Sequence, residues 1–528
     1  MLDRIISIKI FLVLDIKLKG FSMKKLYSLL SILIIYSFNI FSQTTPSFVS
    51  DSIDNYVHRG MNNWQIPGVA VLIVKDGKVI YEKGFGVKEL GKDELVDKNT
   101  LFMIGSNTKA FTGTALAILE YDEKLKLDDK VIKYLPDFKM KDEWVNKELN
   151  LLDIVSHRMG LETFQGDFMY WTSDLNADEV IEKFGMITPK YNFRTKYGYT
   201  NAGYAIAGKV IKKVSGLSWG EFLKEKIFKP LEMNRTVPLS EEFVKSDNIA
   251  KPHTYVEGKM TLLPFQNIDN LAPCGSIGSS VNDLSHWVIA QLDSGKYDGV
   301  NVIPFSAIQK TRQLLSIERR GRHPYNKTHY SLYGMGWAFQ DYEGREIIMH
   351  TGGVNGFVTS VTLMPEEKLG IVVLTNTDQN AFFQSLKWEI LDAYLGLPYR
   401  NYDSTFFASN QKSKEKRNKW LQEIQDSVNM KLIPEIGLSE FEGRYINDVY
   451  GYADLKLIND NLELSLKHHS KLKGKLEYIG NNRFFCTYSD PTYGKKVFPF
   501  FINDGKITSF NLFVDDFIEY LPYKFVKK

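Results

Sequence analysis

The sequence predicts an α+β domain, in which an antiparallel sheet is flanked by helices and joined to a largely helical region, followed by a small all-β barrel. Three patterns predict this order. A hairpin-like pair of apolar runs begins at Gly68, and strand-like runs return between Glu346 and Leu374 after a helix-rich stretch. Short alternating runs separated by turns then fill the chain after Gly437.

The first 42 residues have the pattern of a signal peptide. Met23-Lys24-Lys25 precedes the apolar stretch from Leu26 to Phe41, with Ser42 at the expected cleavage point, and Met23 is an alternative start. The apolar stretch is shorter than the ~20 residues that span a bilayer. We therefore expect cleavage, no stable membrane span afterwards, and a periplasmic or secreted protein; the alternative is an uncleaved anchor.

Residues 47–400 are predicted to form the α+β domain. It opens with the hairpin Gly68–Val74 and Lys78–Glu82, joined by an Asp-Gly turn. The tetrad Ser106-Asn107-Thr108-Lys109 then follows an apolar run and opens a helical segment, Ala110–Leu119. Ser-x-x-Lys alone is a weak signal, since it also begins at four serines in the signal region, a charged linker and a lysine-rich hairpin: Ser22, Ser409, Ser413 and Ser470.

Ser106 and Lys109 have the spacing of a nucleophile and its base. A serine at a helix N-terminus lies where backbone N–H groups favour negative charge, and a lysine three residues later shares its helix face. Burial lowers the pKa of a lysine, and the neutral amine can then take the serine proton. We interpret Ser106 as the nucleophile and Lys109 as the general base; the alternative is a helix cap beside a solvated lysine.

Tyr199-Thr200-Asn201 supplies a second proton-handling group. Cations near Tyr199 would lower its pKa, so that it could relay protons to a leaving group. Asn201 would orient Lys109 and a substrate amide, and the predicted helix Ala202–Val214 follows. Tyr197 is a competing assignment, but it has no asparagine two residues later.

His350-Thr351-Gly352-Gly353 lies between strand-like runs that we expect to be edge strands beside the site. Glycine in such a strand allows a substrate to approach the backbone. The backbone N–H groups of Ser106 and Gly353 would form an oxyanion hole, and His350 and Thr351 would position the substrate, for example through its carboxylate.

The order Ser-x-x-Lys, Tyr-x-Asn, His-x-Gly resembles the serine β-lactamase and penicillin-binding-protein family, and in particular the class C β-lactamase-related serine hydrolases. Further phrases resemble the family: Ser156–Gly160, Pro230–Thr236, Gly275–Ser280 and Tyr333–Trp337. The resemblance implies a β-lactamase/DD-peptidase-like fold and an acyl-serine intermediate. His350 stands where many penicillin-interacting enzymes carry lysine, which favours a peptidase or esterase over a dedicated β-lactamase.

The function expected is therefore an exported serine hydrolase, such as a D-amino-acid peptidase, a carboxypeptidase, or a related amide or ester hydrolase. The alternatives are a β-lactamase and a non-catalytic penicillin-binding sensor or scaffold. The substrate would be a small molecule or peptide, with peptidoglycan-derived peptides included. A net charge of +3 gives no reason to expect nucleic acid, and no motif implies a metal or an organic cofactor.

Residues 401–437 are predicted to be a linker with a charged helical part, Lys412–Gln425, and residues 438–528 the barrel. The barrel resembles the C-terminal barrel often appended to these hydrolases. A passive packing module is the favoured interpretation, and the alternative is that a barrel loop enters the cleft and limits substrate length. We expect Cys274 and Cys486 to be free and buried rather than bridged, and His468-His469 to be solvated.

Overall fold

The computed structural model describes residues 45–320, 323–326 and 328–528. The predicted signal peptide and the alternative start at Met23 lie outside the described residues. The chain divides into an N-terminal unit, residues 1–52, and a second unit, residues 53–528. In the first, Phe48–Ser52 form one π-helical turn. Across the described residues, no helix combines the length and the apolar character needed to cross a bilayer.

An eight-stranded antiparallel sheet forms the centre of the α+β part, with strand order β2-β1-β14-β13-β12-β11-β10-β9. Three two-stranded pairs, β3–β6, β4–β5 and β7–β8, lie outside it. The strands of this part are, in chain order, β1 (Gly68–Lys75), β2 (Lys78–Gly86), β3 (Phe102–Met103), β4 (His253–Val256), β5 (Lys259–Leu262), β6 (Gly278–Ser279), β7 (Lys296–Tyr297), β8 (Val300–Asn301), β9 (Ser316–Arg320), β10 (Tyr330–Tyr333), β11 (Ala338–Tyr342), β12 (Arg345–Val354), β13 (Phe357–Met364) and β14 (Leu369–Thr375).

The predicted hairpin and the three later strands are confirmed. Asp76 and Gly77 both have positive φ, 52° and 74°, as a tight hairpin turn requires. The prediction that the strand carrying His350 lies at an edge is wrong for its first half, because Arg345–Met349 of β12 pair with β11, whereas His350–Val354 pair with β13 alone. Strands β9–β11 extend the sheet beyond it, and their short runs between 316 and 342 were not recognised in the sequence.

Helices surround this sheet and form the region between β2 and β9. They are, in chain order, α1 (Ile53–Trp64), α2 (Thr108–Tyr121), α3 (Val131–Tyr134), α4 (Glu143–Glu148), α5 (Leu151–Val155), α6 (Asp167–Tyr170), α7 (Ala177–Gly185), α8 (Ala202–Ser215), α9 (Trp219–Leu223), α10 (Ser240–Lys245), α11 (Ala272–Gly275), α12 (Val281–Leu292), α13 (Phe305–Thr311), α14 (Phe382–Tyr394) and α15 (Tyr402–Asn429). The first twelve residues of α2, Thr108–Leu119, are all buried, which is typical of a helix at the centre of a core.

The predicted linker contains α15, a helix of 28 residues that is longer than the charged segment that predicted it. Its first turn is anchored, because the Asp403 carboxylate accepts hydrogen bonds from the Trp64 indole at 2.6 Å and from Asn63 at 2.9 Å. The segment between the two sequence-predicted domains is therefore fixed to α1 at its start.

Residues 443–527 form a closed eight-stranded barrel, which confirms the predicted all-β architecture. Six strands were recognised from the sequence, whereas the first and last, each of five residues, were missed. Aromatic rings fill the interior, with Phe510 stacked on Phe500 and Phe525. The strands are β15 (Gly443–Asn447), β16 (Gly451–Ile458), β17 (Asn461–Leu466), β18 (Lys473–Tyr478), β19 (Arg483–Tyr488), β20 (Lys495–Asn503), β21 (Lys506–Leu512) and β22 (Tyr523–Lys527).

The barrel packs against α6, and this contact corrects one prediction. His468 and His469 are buried, not solvated. The His469 ring stacks on Phe168 of α6, and its Nε2 donates to the carbonyl oxygen of Trp171 at 3.0 Å. The two histidines belong to the interface between the barrel and the helical region. Cys274 and Cys486 are free and buried, as expected.

Candidate active site

Ser106 lies in a tight turn that is pressed against β12. The turn, Gly105–Asn107, precedes α2, and Gly105 has a φ of +55°. A Cβ on Gly105 would lie 2.7 Å from the Gly353 nitrogen, and one on Gly352 would lie 1.8 Å from the Ile104 oxygen. Both glycines are therefore needed for the backbone contact. The close approach at Gly352 is to the backbone just before the turn that carries Ser106, and not to a substrate as expected.

Lys109 is completely buried beneath Ser106. Its Nζ donates to Ser106 Oγ at 3.0 Å, to Asn201 Oδ1 at 2.7 Å and to the Cys274 carbonyl at 2.9 Å. Burial lowers the pKa of Lys109 to about 8, with opposing effects from Cys274 and Asp167. A substantial fraction of Lys109 is thus neutral near pH 8, and the neutral amine is oriented to accept the Ser106 proton.

Tyr199 and Asn201 enter the site from the loop before α8. The Tyr199 ring centroid lies 4.7 Å from Lys109 Nζ. The expected lowering of the Tyr199 pKa is wrong: burial raises it well above the ordinary value, and the hydrogen bond with Ser106 opposes this only in part. Tyr199 is therefore a neutral phenol, which can relay a proton only by giving one up as it receives another.

His350 is neutral and does not replace the cation of a lysine. Its Nδ1 lies 2.6 Å from the Thr351 carbonyl, which can only accept, so Nδ1 carries the proton. Nε2 then accepts from the Tyr333 hydroxyl at 3.0 Å. Burial, with a further contribution from the charge of Lys109, lowers the pKa of His350 to about 3. Tyr199 therefore has one cation near it rather than two.

A cavity of about 750 Å³ opens over these groups. Of the residues singled out in the sequence, six line it and two lie beneath it. Lys109 and Gly352 are the buried pair, and the lining residues are Ser106, Tyr199, Asn201, His350, Thr351 and Gly353. The structure thus brings the three separated motifs together around one space. Among the residues described, no cluster of His, Cys, Asp or Glu is arranged to hold a metal ion.

Comparison with known proteins agrees with this geometry. The family model described as Beta-lactamase matches residues 53–395. The chain belongs to the beta-lactamase family. It is 28% identical to the unguisins hydrolase of Aspergillus campestris over 362 residues, which cover 66% of each chain. It is also 28% identical to Protein flp of Staphylococcus aureus over 340 residues, 61% of this chain and 62% of that protein. The chain thus spans less than two thirds of these relatives' lengths.

A solved structure extends the likeness beyond the beta-lactamase region. The octameric penicillin-binding protein homologue from Pyrococcus abyssi matches with a TM-score of 0.57 and 21% identity. The match covers 90% of this chain and 99% of that one. At this identity the match shows a shared fold, with the beta-lactamase-like part and the C-terminal barrel both included.

Two residues of this beta-lactamase family member were not recognised as part of its site. Asp167 Oδ2 accepts from Asn201 Nδ2 at 2.5 Å, and its buried Oδ1 has no hydrogen-bond partner in the described chain. Burial raises the pKa of Asp167, and the charge of Lys109 opposes this. The hydrogen-bond chain Asp167–Asn201–Lys109 therefore places an acidic side chain behind Lys109. Nothing around Asp167 in the sequence signals this role.

The second residue is His157, which was recognised only as part of a family phrase. Its ring centroid lies 4.4 Å from that of Tyr199, and its Nδ1 accepts from the Thr200 N–H at 3.2 Å. Complete burial, reinforced by the charge of Lys109, lowers its pKa well below the ordinary value. The neutral ring packs behind Tyr199 and fixes the loop that carries it.

The barrel also contributes side chains to this cavity. Phe517, Ile518 and Tyr520, which follow β21, line the same cavity as Ser106. Glu519 between them is buried, and its carboxylate accepts from the N–H groups of Gly166 at 2.8 Å and Phe168 at 3.1 Å. The segment 517–520 is thus anchored on α6, the helix that begins with Asp167.

Proposed function

We propose that this protein is an exported serine hydrolase that forms an acyl-enzyme on Ser106. The substrates proposed are peptides of D-amino acids, with peptidoglycan-derived peptides included, and related amides or esters. The observation that carries the proposal is the 3.0 Å hydrogen bond between Ser106 Oγ and Lys109 Nζ, inside a cavity large enough for a peptide segment. Export is inferred from the pattern Met23–Ser42 alone.

The reaction would begin when neutral Lys109 takes the Ser106 proton as Oγ bonds to the substrate carbonyl carbon. The negative charge on the carbonyl oxygen would be stabilised by the N–H groups of Ser106 and Gly353, whose backbones are held together by Gly105. As the bond to the leaving group breaks, Tyr199 passes its proton to the departing atom and receives one from Lys109. Water then releases the acyl group by the reverse proton path.

A neutral His350 supports a peptidase or esterase rather than a dedicated β-lactamase. The family position often held by lysine carries an imidazole whose two nitrogens are already hydrogen-bonded. It adds no positive charge beside Thr351, so a carboxylate next to the scissile bond would be bound by hydrogen bonds rather than by an ion pair. The relative named unguisins hydrolase supports hydrolytic chemistry in this family.

The test is intact mass spectrometry after incubation with a fluorescent penicillin, together with hydrolysis of a p-nitrophenyl ester. Ser106→Ala should abolish both the adduct and the ester hydrolysis. Ser413→Ala is the matched control, because Ser413 also begins a Ser-x-x-Lys tetrad but lies exposed on α15. This control should behave as the wild type.

The possible results separate the candidate functions. A stable adduct on Ser106 supports a penicillin-recognising peptidase, and a rapidly released adduct supports a β-lactamase. Ester hydrolysis without an adduct indicates an esterase or aminopeptidase whose cleft excludes the drug. Wild-type protein with neither activity would contradict the proposal and favour a non-catalytic binding protein.

A further inference from the structure

A second buried lysine lies at the other end of the cavity that holds Ser106. Lys387 of α14 lines this cavity and is 1% exposed. Its Nζ donates to Gln384 Oε1, lies 3.5 Å from Met349 Sδ and 4.5 Å from the centre of the Trp388 ring. Within the described part of the chain, no carboxylate lies within ion-pair distance of Nζ. A buried ammonium without a counterion is unfavourable unless a ligand supplies one.

Gln340 of β11 provides an independent observation at the same end. It lines the cavity, it is 8% exposed, and its buried Nε2 has no hydrogen-bond partner among the described residues. Buried amide N–H groups in folded proteins are nearly always bonded, so an unbonded one in a side chain that lines a cavity indicates a missing acceptor. Lys387 and Gln340 thus each bring a hydrogen-bond donor to this end of the cavity.

The acidic residue of β9 that lines the cavity is already engaged. Glu318 of β9 accepts from the Ser331 hydroxyl and lies 3.7 Å from the guanidinium of Arg319. Arg319 also lines the cavity. Burial is the main cause that lowers the pKa of Lys387 to about 7, and the charge of Arg319 lowers it further. Positive charge therefore exceeds negative charge around the lining residues at this end.

Strand β12 connects the two ends. Met349, Thr351 and Gly353 alternate along it and so share one face. The register pairs Ala338 with Met349, which places Gln340, two residues from Ala338, on that face as well. Four residues of extended strand span roughly 13 Å. Three residues of an extended substrate that bonds to Ser106 beside Gly353 would cover roughly 10 Å of this distance, and a hydrogen bond of about 3 Å to Lys387 would cover the rest.

We propose that Lys387 and Gln340 form a subsite for a substrate carboxylate that lies about three residues from the scissile carbonyl. The inference rests on the proposed hydrolase function and narrows its substrate class to acidic peptides. A carboxylate would accept hydrogen bonds from Lys387 Nζ and Gln340 Nε2, and so satisfy both donors. It differs from a carboxylate next to the scissile bond, which would meet Thr351.

Binding to the Ser106→Ala protein tests this independently of catalysis. Isothermal titration calorimetry would compare acetyl-D-Ala-D-Ala-Gly-Gly as free acid and as C-terminal amide, and succinyl-Gly-Gly-D-Ala-D-Ala-amide with its acetyl analogue. The acid should bind at least about 10-fold tighter than its neutral partner in one of these pairs. The preference should disappear in Ser106→Ala/Lys387→Met and fall in Ser106→Ala/Gln340→Leu.

Ser106→Ala/Lys412→Met is the matched control, because Lys412 is exposed on α15, and it should keep the preference. Equal affinities for acid and neutral peptides in both pairs would overturn the subsite, as would a preference that survives both substitutions at the far end. If the protein is not a hydrolase, the wild type will show no turnover that depends on Ser106. The titration measures binding and not turnover, so the two failures can be told apart.

Discussion

Lys109 and Lys387 are both fully buried beside one cavity, yet their surroundings differ in kind. Lys109 donates to three oxygens and has the Asp167 carboxylate behind Asn201. Lys387 has one amide oxygen, a thioether sulfur and an aromatic ring as neighbours. The difference agrees with the two roles that we propose, proton transfer for Lys109 and ligand binding for Lys387.

The largest effect should come from Lys109. Lys109→Met is expected to lower the rate of Ser106 acylation by about 10³-fold or more, since the nucleophile loses its base. Lys109→Arg should be similarly inactive, because a guanidinium stays charged and cannot accept the serine proton. Acylation would be followed by stopped-flow with a chromogenic ester. An active arginine variant would mean that Lys109 serves only as a cation.

The next largest effect should come from Asp167, which distinguishes the surroundings of Lys109 from those of Lys387. Asp167→Ala should lower kcat/KM by roughly 10²-fold, because Asn201 loses the partner that orients it. Asp167→Asn keeps an acceptor but removes the negative charge that raises the pKa of Lys109.

The direction in which Asp167→Asn shifts the pH–rate profile follows from the loss of the Asp167 charge. In the wild type, kcat/KM should rise with pH and level off above about 8, where Lys109 is neutral. With a neutral amide at position 167, the Lys109 pKa falls and the rise should shift to lower pH. A pH–rate profile checks this, and an unchanged midpoint would show that Asp167 is not coupled to the base.

A smaller effect is expected where the barrel meets the Ser106 end. A Cβ at Gly353 would lie 3.2 Å from the Phe517 ring, so this ring closes the cleft beside the predicted oxyanion hole. Phe517→Ala should raise the ratio of kcat/KM for a bulky acyl ester over an acetyl ester by about 3–10-fold. Phe501→Ala is the control, since this barrel residue is exposed elsewhere on β20. An unchanged ratio would indicate that the barrel is a passive packing module.

The smallest effect concerns stability, and it should have opposite signs at the two lysines. Lys387→Met removes a buried cation without a counterion and should raise Tm by about 2 °C. Lys109→Met leaves buried acceptors of Asn201 and Cys274 without donors and should lower Tm. Because burial lowers the pKa of Lys387 to about 7, the gain should be largest below pH 7 and fade as pH rises toward 10.5. Calorimetry at several pH values checks both signs.

The sequence predicted the parts of the site that local spacing controls. Ser106 and Lys109 are one helical turn apart, so their contact follows from three residues of spacing. The strands around His350 were predicted from alternation and turns. Pairing with β11, which moves the first half of β12 away from the edge, depends on a distant segment that local patterns do not report.

The groups that sequence reasoning missed act through distant partners. Asp167 acquires its role from Asn201, and Lys387 contacts Met349, through folding that no motif records. The direction of the Tyr199 pKa was wrong for a related reason, since the extent of burial is a tertiary property. The buried histidines at the barrel interface illustrate the same limit.

The carboxylate of Glu519 gives the barrel a consequence for evolution and engineering. It accepts from two backbone N–H groups at the start of the helix that carries Asp167, so the barrel and this helix form one structural unit. A chimera that exchanged the barrel for a homologous module would have to import an equivalent of this single acid. Cutting the chain near residue 400 would instead leave a shorter protein with an uncapped helix behind its own base.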